Sequence, residues 1–153
     1  MSEYLVILRS VLFLLTMYIS SDFSRLEINL NGCLENYRYF RSKLEASTKL
    51  LVLVKANAYG HGAVEFASLM EEAGADYLAV AYPVEGVELR QAGINSPIMV
   101  LTAGTDSFEQ IINYGLEPGI PNLCSLKVLC SVLEKRGLKD FPIHIKLDTG
   151  MHR

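Results

Sequence analysis

From residue 24 onward, the chain alternates between two hydrophobic patterns. Short runs of continuous or alternating apolar residues predict β-strands at residues 26–30, 49–54, 77–81, 97–101, 116–121 and 142–147. Between these runs, apolar residues recur three and four positions apart, as on a helix with one buried face; the clearest stripes are Phe66, Leu69, Met70, Ala73 and Leu126, Leu129, Cys130, Leu133. The pattern therefore predicts up to six strands alternating with five helices.

Two of the predicted strands allow more specific predictions about the sheet. Leu26 to Leu30 alternates apolar and polar residues as a short strand does, and Asn31 can cap the helix that follows. Residues 50–54 are all apolar, which is typical of a strand buried on both faces of a parallel sheet. We therefore expect a parallel sheet whose first strand starts the fold.

This alternation is compatible with two architectures. Right-handed βαβ units build either an open doubly wound sheet or part of an eightfold barrel. The sequence contains neither GxGxxG after the first strand nor GxxxxGK[ST], so neither nucleotide-binding fingerprint favours the open sheet. The local pattern leaves both α/β architectures open.

The N-terminus follows a different pattern. Residues 4–19 are apolar except for Arg9, Ser10 and Thr16. As a helix this run would reach roughly 24 Å, which is short of the membrane's hydrocarbon thickness of about 30 Å. A charge at its centre would be costly in lipid, and Glu3 precedes the run where a signal peptide carries positive charge. We interpret residues 1–23 as an apolar extension, and a membrane or export segment at residues 4–19 is the less favoured alternative.

Composition excludes several classes of protein. Half of the 153 residues are hydrophobic, a fifth are charged, and the net charge is −3. Such a chain can bury a core, and without a basic cluster it shows no footprint for nucleic acid. The three cysteines, Cys33, Cys124 and Cys130, show no CxxC spacing, which argues against disulfides or a zinc site. We predict a reduced, cytoplasmic protein without a metal centre.

Chemistry-bearing residues collect after the strand at 49–54. Lys55 follows the apolar run directly, so its ammonium lies at the edge of a low-dielectric core. Desolvation there disfavours the charged amine, as a lysine that forms a Schiff base requires. Gly60 and Gly62 flank His61 and permit positive φ or close backbone approach. The alternative is a surface lysine that reaches solvent, followed by an ordinary turn.

A second polar group lies on the last predicted strand. His144, Lys146 and Asp148 alternate with apolar residues, so they share one face. Lys146 and Asp148 could pair, and Thr149 and Gly150 would begin a loop that continues to Arg153. The alternative is an amphipathic edge strand followed by a solvated turn.

Together the two segments resemble the alanine racemase family. The resemblance is carried by VKANAYGHG at residues 54–62 and KLDTGMHR at residues 146–153. LEINL near the start and AVAYPVEGVELRQAGI at residues 79–94 also resemble that family. A related decarboxylase family shares VKAN without usually continuing as YGHG. The resemblance implies a pyridoxal 5'-phosphate enzyme built on the fold-type III barrel.

The resemblance also implies residue roles. Lys55 would form the internal aldimine with pyridoxal phosphate and act as one acid/base group at the substrate α-carbon. Tyr59 would contact the cofactor phosphate. Lys146 matches a lysine that is often carbamylated, and Arg153 matches the arginine near the cofactor's phenolic oxygen and the substrate carboxylate. For the motif positions His61, Asp148 and Met151, the resemblance implies only that they support the loops.

At the level of the molecule, the resemblance implies a homodimeric isomerase that interconverts L- and D-alanine for peptidoglycan, the cell-wall polymer. The family has eight barrel strands and a C-terminal β domain, and a tyrosine from the partner subunit serves the other face of the α-carbon. Residues 24–153 would then be the N-terminal portion of a partial TIM-type (β/α)8 barrel, with about six of eight strands and the C-terminal β domain absent. We expect such a portion to be inactive alone. The alternatives are a non-enzymatic cofactor-binding or interaction remnant and another fold-type III enzyme, such as an amino-acid decarboxylase.

Overall fold

The computed structural model describes residues 26–152. The apolar extension at residues 1–23, including the run at 4–19, lies outside the described residues, and so does Arg153. Within the described range, no helix has both the length and the apolar character needed to cross a bilayer.

Strands and helices alternate along the described chain. The strands are β1 Leu51–Leu53, β2 Tyr77–Val80, β3 Ile98–Val100, β4 Glu117–Ile120 and β5 His144–Ile145. The helical segments are α1 Leu30–Ser42, α2 Lys55–Gly60, α3 Ala63–Glu72, α4 Pro83–Gln91, α5 Phe108–Asn113 and α6 Leu123–Lys135, and a 3₁₀ turn at Thr105–Ser107 precedes α5. The predicted alternation is confirmed, and glycines with positive φ follow α3, α4, α5 and α6 as expected for C-terminal stops.

The sheet topology decides between the two architectures. All five strands are parallel and lie in sequence order, β1-β2-β3-β4-β5. A doubly wound sheet reverses its strand order at a switch point, whereas a barrel adds each strand beside the last. With right-handed crossovers, an unreversed order places every connecting helix on the same face. The described residues therefore form part of an α/β barrel.

The core lies between the sheet and these helices. Leu78 and Val80 pair in register with Ile98 and Val100, and all four side chains are fully buried. They pack in one hydrophobic cluster with helical and loop residues that include Met70, Leu89, Phe108, Ile111, Leu116 and Leu129. The alternate positions of the strands face the other way and are partly exposed, as at Tyr77, Met99 and Glu117. This second face corresponds to the interior of a barrel.

The strand predicted at Leu26–Leu30 is wrong. Residues 26–29 form no regular element, and α1 begins at Leu30. The side chain of Asn29, rather than that of Asn31, caps the helix by accepting the N–H of Gly32 at 3.1 Å. Capping at Asn29 starts the helix inside the predicted strand. The described part of the chain thus has five strands instead of six.

Two burial predictions are also wrong. Leu51 in β1 is 40% exposed, since β1 pairs only with β2 among the described residues and one edge stays open. Cys130 is exposed because α6 buries Leu129 and partly buries Leu126 and Leu133, which leaves the cysteine on the flank of the packed stripe.

Candidate active site

The backbone after β1 winds in the left-handed sense. Ala56, Asn57, Ala58 and Tyr59 have φ between 49° and 56° and ψ between 33° and 51°. Left-handed helical geometry costs an L-residue roughly 1–2 kcal/mol, and only glycine and, less often, asparagine or aspartate adopt it routinely. Four consecutive residues in this region form a strained turn, and such strain persists only where surrounding contacts determine the conformation.

Gly60 and Gly62 continue the turn with φ of 92° and 90°. The predicted positive φ at the two glycines flanking His61 is therefore confirmed. Glycine is favoured at Gly62 because side chains with a Cβ rarely adopt this φ. This pair returns the chain to right-handed geometry at α3.

Contacts from within the segment hold the second half of the turn. Asn57 Oδ1 accepts the N–H of Ala63 at 2.7 Å, and Asn57 O accepts the N–H of Gly62 at 3.1 Å. His61 Nδ1 lies 2.8 Å from Ala58 O and can donate a hydrogen bond to it. Support of the loop is the role that the resemblance leaves to His61, and this contact is consistent with it.

A side chain from the next βα unit holds the first half. Glu85, in the first turn of α4, accepts the N–H of Ala56 through Oε1 at 2.6 Å. Its Oε2 accepts the N–H groups of Ala81 and Tyr82 at 2.7 and 2.9 Å. One carboxylate thus joins the residue after Lys55 to the end of β2.

This geometry places Lys55 and Tyr59 side by side. Lys55 is half-buried, and its Nζ lies 5.9 Å from the centroid of the Tyr59 ring, which is 60% exposed. A primary amine suits a carbonyl carbon, and a phenol suits a phosphate oxygen. The pair therefore fits a phosphorylated aldehyde such as pyridoxal phosphate.

The second predicted segment forms a shorter strand than expected. β5 spans only His144–Ile145, and the N–H of Lys146 then bonds to Ile120 O at 3.0 Å. His144 Nε2 lies 2.8 Å from Glu117 Oε2, and its ring packs edge-on against Tyr77 at 5.8 Å between centroids. His144 therefore joins the polar residues on the inner face of the sheet.

Asp148 engages its own loop. Its Oδ1 accepts the N–H groups of Gly150 and His152, both at 3.0 Å, and Oδ2 lies 3.2 Å from His152 Nδ1. The hydrogen bonds from the Gly150 and His152 amides hold the pKa of the Asp148 carboxyl below its usual range. Asp148 thus organises the loop that leads to Arg153.

The structure brings the two segments to the same end of the sheet but not into contact. Lys55 follows β1 and Lys146 follows β5, so both lie at the carboxyl ends of parallel strands. They stand at opposite edges of the described sheet, four strand spacings of about 4.8 Å apart along it. In barrels this end carries the reactive groups.

A groove of about 400 Å³ lies beside the turn. It is bounded by α1, β1 and α3, and its lining includes Tyr37, Tyr59 and His61 but not Lys55. The hydroxyl of Tyr37 is buried there without a hydrogen-bond partner among the described residues. The groove therefore borders the lysine turn without containing the amine.

Neither the local pattern nor the family resemblance assigns a role to Glu85 or to Asn57. Glu85 carries one recognisable signal, because a glutamate three residues after a helix cap is typical of a capping box. Its reach to Ala56 crosses 29 positions in the sequence, and no local pattern reveals it. Asn57 lies within the VKANAYGHG motif, but its hydrogen bond with the N–H of Ala63 depends on the geometry of the turn.

Comparisons with known proteins agree with this geometry. A family profile described as "Alanine racemase, N-terminal domain" matches residues 28–153. The alanine racemase of Synechocystis is 42% identical over 129 residues, which cover 83% of this chain and 34% of that protein. This chain thus spans about a third of the length of the curated relatives it matches.

Solved structures agree as well. Alanine racemase from Clostridium difficile 630 superimposes with a TM-score of 0.78 at 38% identity, over 82% of this chain and 33% of that one. Alanine racemase from Bartonella henselae, solved with covalently bound pyridoxal phosphate, gives a TM-score of 0.75 at 29% identity, over 82% and 35%. The match of residues 28–153 to the family profile, with these relatives, shows that the chain belongs to the alanine racemase family.

Proposed function

We propose that this chain carries the lysine-bearing part of a pyridoxal-phosphate-dependent enzyme that interconverts L-alanine and D-alanine. The left-handed turn carries the proposal, because it sets the amine of Lys55 beside the phenol of Tyr59 at the carboxyl end of β1. The relative with covalently bound pyridoxal phosphate supports the same cofactor here.

The residues of the turn have distinct tasks in this proposal. Lys55 Nζ would hold the cofactor through its carbonyl carbon and, once the substrate amine has displaced it, would move a proton on one face of the substrate α-carbon. Tyr59 would donate its phenolic hydrogen to the phosphate and so hold the end of the cofactor away from Lys55. When bound, pyridoxal phosphate supplies the electron sink that delocalises negative charge from the α-carbon.

The loop after β5 supplies charge. We propose that Arg153 holds the substrate carboxylate and the cofactor's phenolic oxygen, while Asp148 shapes the backbone that leads to it. We propose that the deprotonated amine of Lys146 adds to carbon dioxide and releases a proton, which gives a carbamate whose negative charge could hold a neighbouring arginine.

Membership of the alanine racemase family also supports proposals about the dimer and the second catalytic group. The family's homodimer would bring a tyrosine from the partner subunit to the other face of the α-carbon, so that a proton leaves one face and returns to the other. We expect residues 28–153 on their own to show no racemisation above background, because inversion needs a proton-transfer group on that other face. A cytoplasmic location rests on the three free cysteines, Cys33, Cys124 and Cys130.

A chimera tests the activity and the substrate together. Residues 28–153 of this chain would replace the matching region of a full-length relative, and the chimera would be expressed in a strain that requires D-alanine. We expect growth without D-alanine, loss of growth with Lys55→Ala, and growth with the matched control Lys127→Ala on the exposed face of α6. A soluble Lys55→Ala chimera that still supports growth would contradict the proposal.

A further inference from the structure

Glu85 lies in the first turn of α4, and this position accounts for only two of its three hydrogen bonds to backbone N–H groups. It is the third residue of α4, which begins at Pro83, three residues after the end of β2 at Val80. From there Oε2 accepts the N–H groups of Tyr82, the cap residue, and of Ala81. This half of the carboxylate does what a capping-box glutamate does, which is to satisfy amides at the start of its own helix.

The other oxygen serves a different element. Oε1 accepts the N–H of Ala56 at 2.6 Å, across the gap between the ends of β1 and β2. Ala56 follows Lys55 directly and is the first of the four left-handed residues. The bond therefore fixes the peptide at which the backbone enters the strained turn.

A carboxylate is the group that this position requires. All three partners are N–H donors, and an ionised carboxylate accepts through both oxygens and donates through neither. A glutamine of the same shape can satisfy the cap with its carbonyl oxygen, but its NH₂ then faces the N–H of Ala56. Glu85→Gln thus separates capping from support of the turn.

We propose that Glu85 is a positioning residue that holds the left-handed turn and so keeps the Lys55 amine beside Tyr59. The inference rests on the proposed function of Lys55 as the cofactor-binding lysine. Without the bond from Oε1, the peptide of Ala56 is free to return to right-handed or extended geometry. Lys55 and Tyr59 then separate, and Lys55 loses its selectivity for a phosphorylated aldehyde.

The test compares wild type, Glu85→Gln and the matched control Glu88→Gln in the 153-residue chain. Glu88 is exposed on the same helix, one turn from Glu85's capping position. Each protein is incubated with pyridoxal phosphate and reduced with borohydride, and the label on Lys55 is compared with that on exposed Lys127 by peptide mass mapping. We expect Glu85→Gln to lower the Lys55-to-Lys127 ratio about tenfold, the effect of losing one charge-assisted hydrogen bond, and Glu88→Gln to leave it unchanged.

A second variant separates positioning from stability. Replacing Ala56 by L-lactic acid turns its amide into an ester, which removes the N–H while Glu85 keeps its bonds to Ala81 and Tyr82. Both variants should lower the ratio while the chain still unfolds in one cooperative thermal transition, so that loss of folding does not account for the lost labelling. They should also weaken the nuclear Overhauser contacts between the Lys55 methylenes and the Tyr59 ring, which are measured without cofactor. If Glu85→Gln does not fold, the ester variant gives the result alone.

The outcomes separate the two proposals. If the wild-type chain is not labelled preferentially at Lys55, the proposed function is wrong. The nuclear Overhauser contacts between Lys55 and Tyr59 in the variants then test the role of Glu85 independently. If wild type prefers Lys55 and both variants keep that preference, the role of Glu85 is wrong. Contacts that persist in both variants would overturn it as well.

Discussion

At the scale of single residues, the site depends on a backbone that most side chains avoid. Ala56, Ala58 and Tyr59 bear a Cβ and still adopt positive φ. Their conformation is held by Glu85 at one end and by Asn57 and His61 at the other. The strained backbone brings Lys55 and Tyr59 close together, and local strain of this kind is typical of functional sites.

Substituting glycine for Ala56 tests the strain directly. Glycine adopts positive φ without the Cβ penalty, so Ala56→Gly should raise the free energy of unfolding by about 0.5–1 kcal/mol in urea titrations. The matched control is Ala92→Gly at the exposed end of α4, where φ is −79°. There glycine should lower the free energy of unfolding by about 0.5–1 kcal/mol. Equal signs for the two substitutions would contradict the left-handed turn.

Asp148 provides a pH-dependent observable in the loop before Arg153. Hydrogen bonds from the amides of Gly150 and His152 lower the pKa of its carboxyl in the folded chain. A lowered folded pKa means that the stabilisation of the loop is present above the unfolded value, about 3.9, and is lost as pH falls through the folded one. The amide shift of Gly150 should titrate with a midpoint below 3.9, the ordinary value of an aspartate, and Asp148→Asn should abolish the titration. A midpoint at or above that value would contradict the loop geometry.

At the scale of elements, hydrogen bonds from helix side chains hold the loops at the amino ends of β3 and β4. The Arg90 guanidinium donates to the carbonyls of Ile94 and Ser96 at 2.7 and 2.8 Å and, over longer distances, to those of Tyr114 and Gly115. Glu71 on α3 accepts both the N–H and the hydroxyl of Ser96. Burial would raise the pKa of Glu71, but the hydrogen bonds from Ser96 and Asn95 bring it below its usual value.

Removing the guanidinium should loosen this end of the sheet. Arg90→Ala leaves four carbonyls without their donor and should lower the free energy of unfolding by about 2 kcal/mol. Arg90→Lys should recover only part of it, because an ammonium cannot reproduce the planar fork. Arg38→Ala on the exposed side of α1 is the control and should be neutral in the same chemical denaturation experiment. A neutral Arg90→Ala would show that the loops hold without it.

Most of the elements could be predicted from local pattern, and the exceptions have physical causes. The helical stripe from Phe66 to Ala73 and the strand at 77–81 were predictable because their periodicity records one buried face. Leu26 to Leu30 alternates like a strand, but a cap at Asn29 starts a helix there instead. Lys55 and Tyr59 were identified by their motif, whereas the bond from Glu85 depends on two strand ends meeting in space. Tertiary contacts of that kind leave no local signature.

At the scale of the whole molecule, the described sheet has two open edges. β1 pairs only with β2, and β5 pairs only with β4. Apolar side chains near the second edge are exposed, with Ile145 at 73% and Leu147 at 76%. Unpaired strand edges with apolar side chains favour association with other chains. The described residues thus have the form of a barrel that is open between β5 and β1.

A lysine on that edge should reduce association. Ile145→Lys places a charge on β5, and we expect a higher concentration threshold for light scattering with little change in thermal midpoint, since the side chain is already exposed. Leu123→Lys is a matched control, because Leu123 is also 73% exposed but lies at the start of α6 rather than on an edge. An equal effect of both lysines would assign the result to net charge rather than to the strand edge.

The central claim is that Lys55 is the lysine that binds pyridoxal phosphate. The most direct measurement is borohydride reduction of the 153-residue chain in the presence of the cofactor, followed by peptide mass mapping. The account predicts that the label concentrates on Lys55 and that Lys55→Arg removes most of it. A label spread over the surface lysines, or undiminished in Lys55→Arg, would contradict the account.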